Sequence, residues 1–195
     1  MRSRTPSSEV ERAIVDAAEQ LLIEQGPDAL TVRGIAGAAG VAPMGVYNHL
    51  GGKQGVLDTL LVRGFDGLTR VMADVGSDDP YEDLIDAAQR YRVYAREHPA
   101  HYALMFERSM ADYEPSELAL EHAAEAFGGL VTLVRRAVSA GVIAEGDPVE
   151  IAQSVWSAVH GAVSLELHGI GFCQDMELNQ DAMVRTIMRG LRSTG

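Results

Sequence analysis

The chain has 195 residues, 47% of them hydrophobic, and a formal net charge of −12, which gives enough apolar material for a packed core and argues against a disordered chain. No stretch approaches the ~20 uninterrupted apolar residues of a membrane span, and residues 1–8 are basic but lack the apolar segment of a signal peptide. A lone cysteine, Cys173, excludes an internal disulfide and a cysteine-based zinc site, and a reducing cytoplasm is the natural setting.

The acidic charge is unevenly spread. Residues 1–54 hold five basic and six acidic side chains, and acids outnumber bases two to one in the remainder. Between Ala29 and Leu57 there is no acid, and the only lysine of the chain, Lys53, lies in that window. A surface cleared of carboxylates suits a phosphate backbone, although a Gly/Ala-rich stretch reaches the same composition by chance.

Helical periodicity runs through nearly the whole chain, and no segment sustains strand alternation. The spacing predicts a first helix opening at Ser7 or Ser8, with Glu11 completing a capping box, and closing at Gly26-Pro27. Its apolar stripe is Val10, Ile14, Ala17, Ala18, Leu21 and Leu22. Two short helices follow near 31–39 and 43–49, separated by Gly40-Val41-Ala42, and after Gly51-Gly52 a longer helix carries Val56, Leu57, Leu60, Leu61, Phe65 and Leu68. Further helices are expected over about 80–97, 100–110, 115–140, 148–170 and 177–192, punctuated by Pro80, Pro99, Pro115, Gly141 and Pro148. The fold class is therefore all-α, with about nine helices.

Residues 31–50 have the pattern of a helix-turn-helix. Two helices crossing steeply through a short turn need a small residue at their contact and a turn residue tolerant of positive φ, and Ala36 and Gly40 meet those demands. Ile35, Ala39, Val41 and Val46 supply the buried positions. The second helix of such a pair enters the major groove by its N-terminal end, although a plain αα corner gives much the same pattern. Thr31 caps the first helix with its hydroxyl and free N–H groups toward a phosphate. Pro43 suits the first turn of the second, Tyr47 and His49 are placed for phosphates, and Lys53 adds charge at the start of the next helix.

Thr31-Val-Arg-x-Ile-Ala-x-x-Ala-Gly-Val-x-x-x-x-Val-Tyr-x-His-Leu-x-x-Lys-x-x-Val-Leu57 resembles the N-terminal domain of the TetR family of repressors. The resemblance covers about residues 9–60. It implies phosphate contacts at Thr31, Tyr47, His49 and Lys53, with Arg33 in the same motif, and base-edge contacts from Ala42, Pro43, Met44, Gly45 and Asn48. Where the family often has Ser-Lys-Gly-Thr, this chain has Ala42-Pro43-Met44-Gly45, so base reading leans on apolar contact from Pro43 and Met44 with thymine methyls, plus Asn48. Arg2 and Arg4 form an arm that reaches a minor groove or is simply solvated.

The resemblance divides the chain into a DNA-binding domain, 1–54, and a helical ligand-binding and dimerisation domain, 55–195. Candidate effector contacts are Tyr94, Tyr102, Met105, Phe106, Phe127, Trp156 and His160, although aromatics and methionines at helical spacing are usually core. Trp156, His160, Ser164 and His168 recur every four residues on one face, interleaved with Val155, Val159, Val163 and Leu167, as in a helix lining a pocket or a subunit seam. His98-Pro-Ala-His-Tyr-x-Leu-Met-Phe106 with Trp156-x-x-x-His160-Gly161 resembles the C-terminal domain of one TetR subgroup marked by Trp-His-Gly. The family implies a homodimer through the last two helices. Gly161, Gly169 and Gly171 would allow close approach there, and Val184, Ile187, Met188 and Leu191 form a stripe that is expected to face the seam, because two-fold DNA readers need dimers, although such a stripe can also pack within its own subunit.

The expected partners are double-stranded DNA and a small-molecule effector, with no cofactor, no metal and no membrane. An enzyme is disfavoured: Glu-x-x-His, His-Glu-x-x-His, phosphate-loop and dinucleotide glycine patterns are absent. The remaining alternative is a helical protein-interaction module with a vestigial helix-turn-helix.

Overall fold

The computed structural model describes residues 7–107 and 113–192. Arg2, Arg4 and Met110 lie outside them. Among the described residues there are nine α-helices: α1 (Ser7–Gln25), α2 (Val32–Ala39), α3 (Pro43–Leu50), α4 (Lys53–Ala73), α5 (Pro80–Glu97), α6 (Pro99–Phe106), α7 (Glu117–Ser139), α8 (Pro148–Leu167) and α9 (Met176–Gly190), with a single 3-10 turn at Pro27–Ala29. None of these helices is long and apolar enough to cross a membrane. The expected all-α class is what the structure shows.

The boundaries follow local chemistry. Asp79, Asp147 and Asp175 cap α5, α8 and α9 by accepting from backbone N–H groups of the first turn, and Pro80 and Pro148 sit at N1, where no N–H is required. Gly40 and Gly51 close α2 and α3 in the left-handed region, at φ 66° and 71°.

The chain folds as two compact units, Met1–Phe65 with Ala100–Ala123, and Asp66–Pro99 with Ala124–Gly195. In the first, α1 buries Ile14, Val15, Ala18 and Leu22 alongside Ile35, Val46, Val56, Leu57 and Leu60. The predicted stripe of α1 omitted Val15, and Val10, Ala17 and Leu21 are only half-buried. Arg63 of α4 bridges Asp16 at 2.8 Å and Glu19 at 2.6 Å, and Glu19 also meets His101 of α6 at 3.3 Å. Asp58 of α4 accepts from the Tyr113 hydroxyl at 2.7 Å and the Ser116 N–H at 2.9 Å. Burial, aided by that bond to Asp58, pushes the Tyr113 phenol well above its ordinary value.

In the second unit, Arg92 of α5 is 6% exposed. It makes a two-pronged bond to Glu166 of α8, both contacts 2.7 Å, and reaches Glu177 of α9 at 3.1 Å. Val184 and Met188 of α9 are 2% and 0% exposed within this single chain. That overturns the expectation that they face a seam: their side of α9 is already covered, consistent with the packing of α9 on α5 and α8.

Asp83, near the start of α5, is 4% exposed. Burial works against its charge, but the Ser77 backbone and side chain and the Arg136 guanidinium, at 2.8 Å, outweigh that and hold the carboxyl below its ordinary 3.8. A carboxyl depressed by folding stabilises the fold above its unfolded pKa and loses that contribution as pH falls through the folded value. Thermal melting should therefore drop below about pH 4, with a shallower acid dependence in Asp83→Asn. Equal slopes from pH 5 to 2 for the two proteins would show that Asp83 contributes nothing to acid stability.

Candidate nucleic-acid interface

The site is built from four consecutive pieces of the first unit: the start of α2, the turn after it, α3 and the start of α4. Thr31 is in extended conformation, and its Oγ1 accepts from the Gly34 N–H at 3.0 Å. This fixes the first turn of α2, where a helix concentrates partial positive charge and unpaired N–H groups. Val41 donates back to Ala36 across the turn at 3.0 Å, and the buried pair Ile35 and Ala36 seats α2 in the core of the unit.

α3 presents two unlike faces. Val46 is fully buried, whereas Met44 and Tyr47 are 64% and 54% exposed. Ala42, Pro43 and Asn48 are exposed, with Gly45 and His49 half-buried. The Tyr47 ring lies against Gly52: a Cβ there would come within 2.8 Å of Cε1. Gly52 also has φ 91°, so both the close approach and the backbone demand glycine. The phenol is thereby held beside the turn that leads to Lys53, the first, half-buried residue of α4.

His49 also has neighbours within its own chain. Its Nδ1 lies 3.1 Å from the Ser7 hydroxyl and 3.6 Å from Glu11 of α1. The window 29–57 is free of acid in sequence, but folding returns one carboxylate to it. Ser7 also bonds Glu11 at 3.1 Å, in place of the capping box expected from Ser8.

The candidate effector contacts form a group in each unit. On α6, Tyr102 is 1% exposed and its ring lies 5.0 Å from that of Phe106, which meets Phe65 edge-on at 6.0 Å. Met105 packs against Gly64, where a Cβ would fall 2.8 Å from its sulfur. In the second unit Phe127, Trp156 and His160 form a chain of ring contacts at 6.1 and 5.2 Å, and the Tyr91 hydroxyl bonds His160 Nδ1 at 2.8 Å. Tyr94 packs on His98 at 4.8 Å and over Gly67. Sequence reading passed over Tyr91 as a partner of His160. Gly64 and Gly67, glycines inside a helical pattern, were the available signal of close approach. Among the described residues no group of three or more metal-ligating side chains is placed to hold an ion.

Comparison with known proteins decides the family. Residues 14–60 match the family described as bacterial regulatory proteins, tetR family, and residues 84–191 match the tetracyclin repressor-like C-terminal domain. The chain belongs to the TetR family. TetR-family proteins are DNA-binding transcription regulators and not enzymes. The match at 84–191 carries no description finer than tetracyclin repressor-like, and the Trp-His-Gly subgroup stays an expectation. An uncharacterized HTH-type transcriptional regulator of Mycobacterium tuberculosis, Rv0681, is 26% identical over 85% of this chain and 73% of its own. A solved protein of unknown function from Rhodococcus sp. RHA1 superposes with a TM-score of 0.85 at 26% identity, over 94% of this chain and 96% of the other. The flavonoid-responsive regulator FrrA shares the fold, with a TM-score of 0.68 at 22% identity, over 96% of this chain and all of its own.

Proposed function

We propose that this TetR-family regulator is a repressor that binds a near-palindromic operator as a homodimer and answers to a small-molecule effector in the cytoplasm. Residues 1–54 form the DNA-binding part and 55–195 the sensing and dimerising part. α3 enters the major groove with Ala42, Pro43, Met44, Gly45 and Asn48 toward base edges. Thr31, Arg33, Tyr47, His49 and Lys53 lie toward phosphates and set register. The observation that carries this reading is the outward face of α3, where Met44, Tyr47 and Asn48 stand exposed between the capped start of α2 and Lys53.

Two-fold DNA requires two copies of α3 about 34–36 Å apart. The faces of the last two helices left uncovered in one chain supply a candidate seam: Leu165 of α8 and Leu178 of α9 are 49% and 68% exposed. Effector response is supported by a protein of the same fold, FrrA, which is named as flavonoid-responsive, and by the Tyr91–His160–Trp156 cluster, in which polar atoms lie among aromatic rings. The effector acts by binding one conformation more tightly than the other.

The test is selection of bound duplexes from random DNA, followed by salt titration. A motif with two-fold symmetry is expected, and Lys53→Gln should weaken all sequences alike and reduce the salt slope by about one. Tyr47→Ala serves as a second phosphate-contact variant. Failure to retard any duplex at low salt would instead favour the protein-interaction alternative.

A further inference from the structure

The exposed chemistry of α3 is narrow. From Ala42 to Leu50 the chain reads Ala-Pro-Met-Gly-Val-Tyr-Asn-His-Leu, without Arg, Lys, Gln, Asp or Glu. In the major groove guanine offers two acceptors, O6 and N7, which Arg or Lys reads, and cytosine offers an N4 donor, which Asp or Glu reads. α3 holds neither class. Arg33 lies on α2, the helix that crosses the phosphate backbone in this motif.

The fold narrows the choice again. Val46 is buried, Tyr47 lies on Gly52, and His49 Nδ1 is engaged by Ser7 and Glu11 of α1. That leaves Pro43 and Met44, both exposed and apolar, and the exposed carboxamide of Asn48. Met44 and Asn48 are four apart and share one helix face. Gly45 sits between them, and a Cβ there would touch only Val41, at an ordinary 3.5 Å. Packing therefore does not require glycine, and its bare backbone lets a base edge come close.

We infer that the base pairs beneath α3 are A·T pairs, with Met44 against thymine 5-methyl groups and Asn48 bonded to adenine N6 and N7. This rests on the reading that α3 enters the major groove. An apolar thioether gains from a methyl and nothing from the polar edge of a G·C pair, and a carboxamide matches the acceptor–donor pair of adenine.

The experiment uses the full-length protein and duplexes selected from random DNA. The positions closest to the outer half of each symmetric motif should be A·T. Replacing their thymines by uracil removes the methyl groups and should weaken binding about fourfold per methyl contacted. Met44→Ala, at an exposed position, should bind thymine DNA as weakly as the parent binds uracil DNA, and should no longer distinguish the two. Replacing adenine by 7-deazaadenine should cost the parent about tenfold and leave Asn48→Ala unaffected. G·C pairs at those positions, or equal binding of thymine and uracil duplexes by the parent, overturns the inference while DNA binding stands. Continued methyl discrimination by Met44→Ala overturns the assignment to Met44. If no sequence is enriched, the reading of α3 as a groove-binding helix fails and the base preference goes with it.

Discussion

Gly55→Ala should abolish operator binding and lower the melting temperature, although it adds a single methyl group. Gly55 lies in the first turn of α4, and a Cβ there would overlap the carbonyl oxygen of Leu50, the last residue of α3, and come within 2.9 Å of its carbonyl carbon. The obstacle is backbone, so no side-chain rotation relieves it. The two helices must separate by more than an ångström, across a turn whose Gly51 and Gly52 already hold φ 71° and 91°. They are also clamped by Val46, Val56 and Leu57, each at most 1% exposed. Overpacking of this kind costs typically 1–3 kcal/mol, and a rigid opponent puts this case at about 3 kcal/mol. The displaced element is α3 itself, so contact geometry is lost together with stability.

A second alanine provides the opposite sign. A Cβ at Gly37, in α2, meets nothing within 4 Å. Gly37→Ala should gain most of the ~1 kcal/mol by which alanine exceeds glycine in a helix. Operator titration and thermal melting of the two variants check both statements. If Gly55→Ala binds and melts like the parent, α3 is not fixed to α4 through this contact.

The contrast between these glycines shows what sequence could and could not convey. Both stood in helical stretches, and propensity treats them alike. Only the approach of Leu50, distant in space until α3 and α4 turn back on each other, separates a required glycine from a dispensable one. Signals confined to a few residues were legible: Thr31 as a cap, Gly40 as a turn residue of positive φ, Gly51 as a break, Pro43 as a first-turn residue, and Pro80 and Pro148 as restarts. They placed most helix ends within about two residues, because caps and turns are settled by neighbours in the chain, whereas α6 and α8 end at Phe106 and Leu167, short of the expected 110 and 170. The 3-10 turn at Pro27–Ala29 was missed because Gly26-Pro27 reads only as a stop. Contacts between helices were not legible. Glu11 beside His49 breaks a window that looked free of acid, and the stripe of α9 could have faced either its own chain or a partner. One period fits both, and only burial of Val184 and Met188 decides. The exposed face of α3, with Pro43, Met44 and Asn48, was legible because it follows from the buried positions Ile35 and Val46.

Arg92 carries the other large effect. Periodicity placed it on α5 with no role, yet it ties α5 to Glu166 of α8 and Glu177 of α9. The bond to Glu166, with further help from Glu177, raises the guanidinium above its ordinary value despite burial. Truncation in Arg92→Ala leaves Glu166, 14% exposed, with the longer contact to Arg96 at 3.5 Å. Breaking a buried pair from one side costs 3–5 kcal/mol. The partial exposure of Glu166 and the remaining Arg96 favour the lower end, about 3 kcal/mol, or roughly 10 °C in melting temperature for a chain of this size. Removing both charges should behave differently. In Arg92→Met with Glu166→Leu no buried charge is left alone, and Glu177, 73% exposed, returns to water. The double variant should melt within a few degrees of the parent, because apolar residues of similar volume replace a buried pair at little net cost. Calorimetry of the two single variants and the double variant measures the coupling directly. Additive losses would mean that Arg92 stabilises this unit by packing its aliphatic stem and not through the charges it brings together.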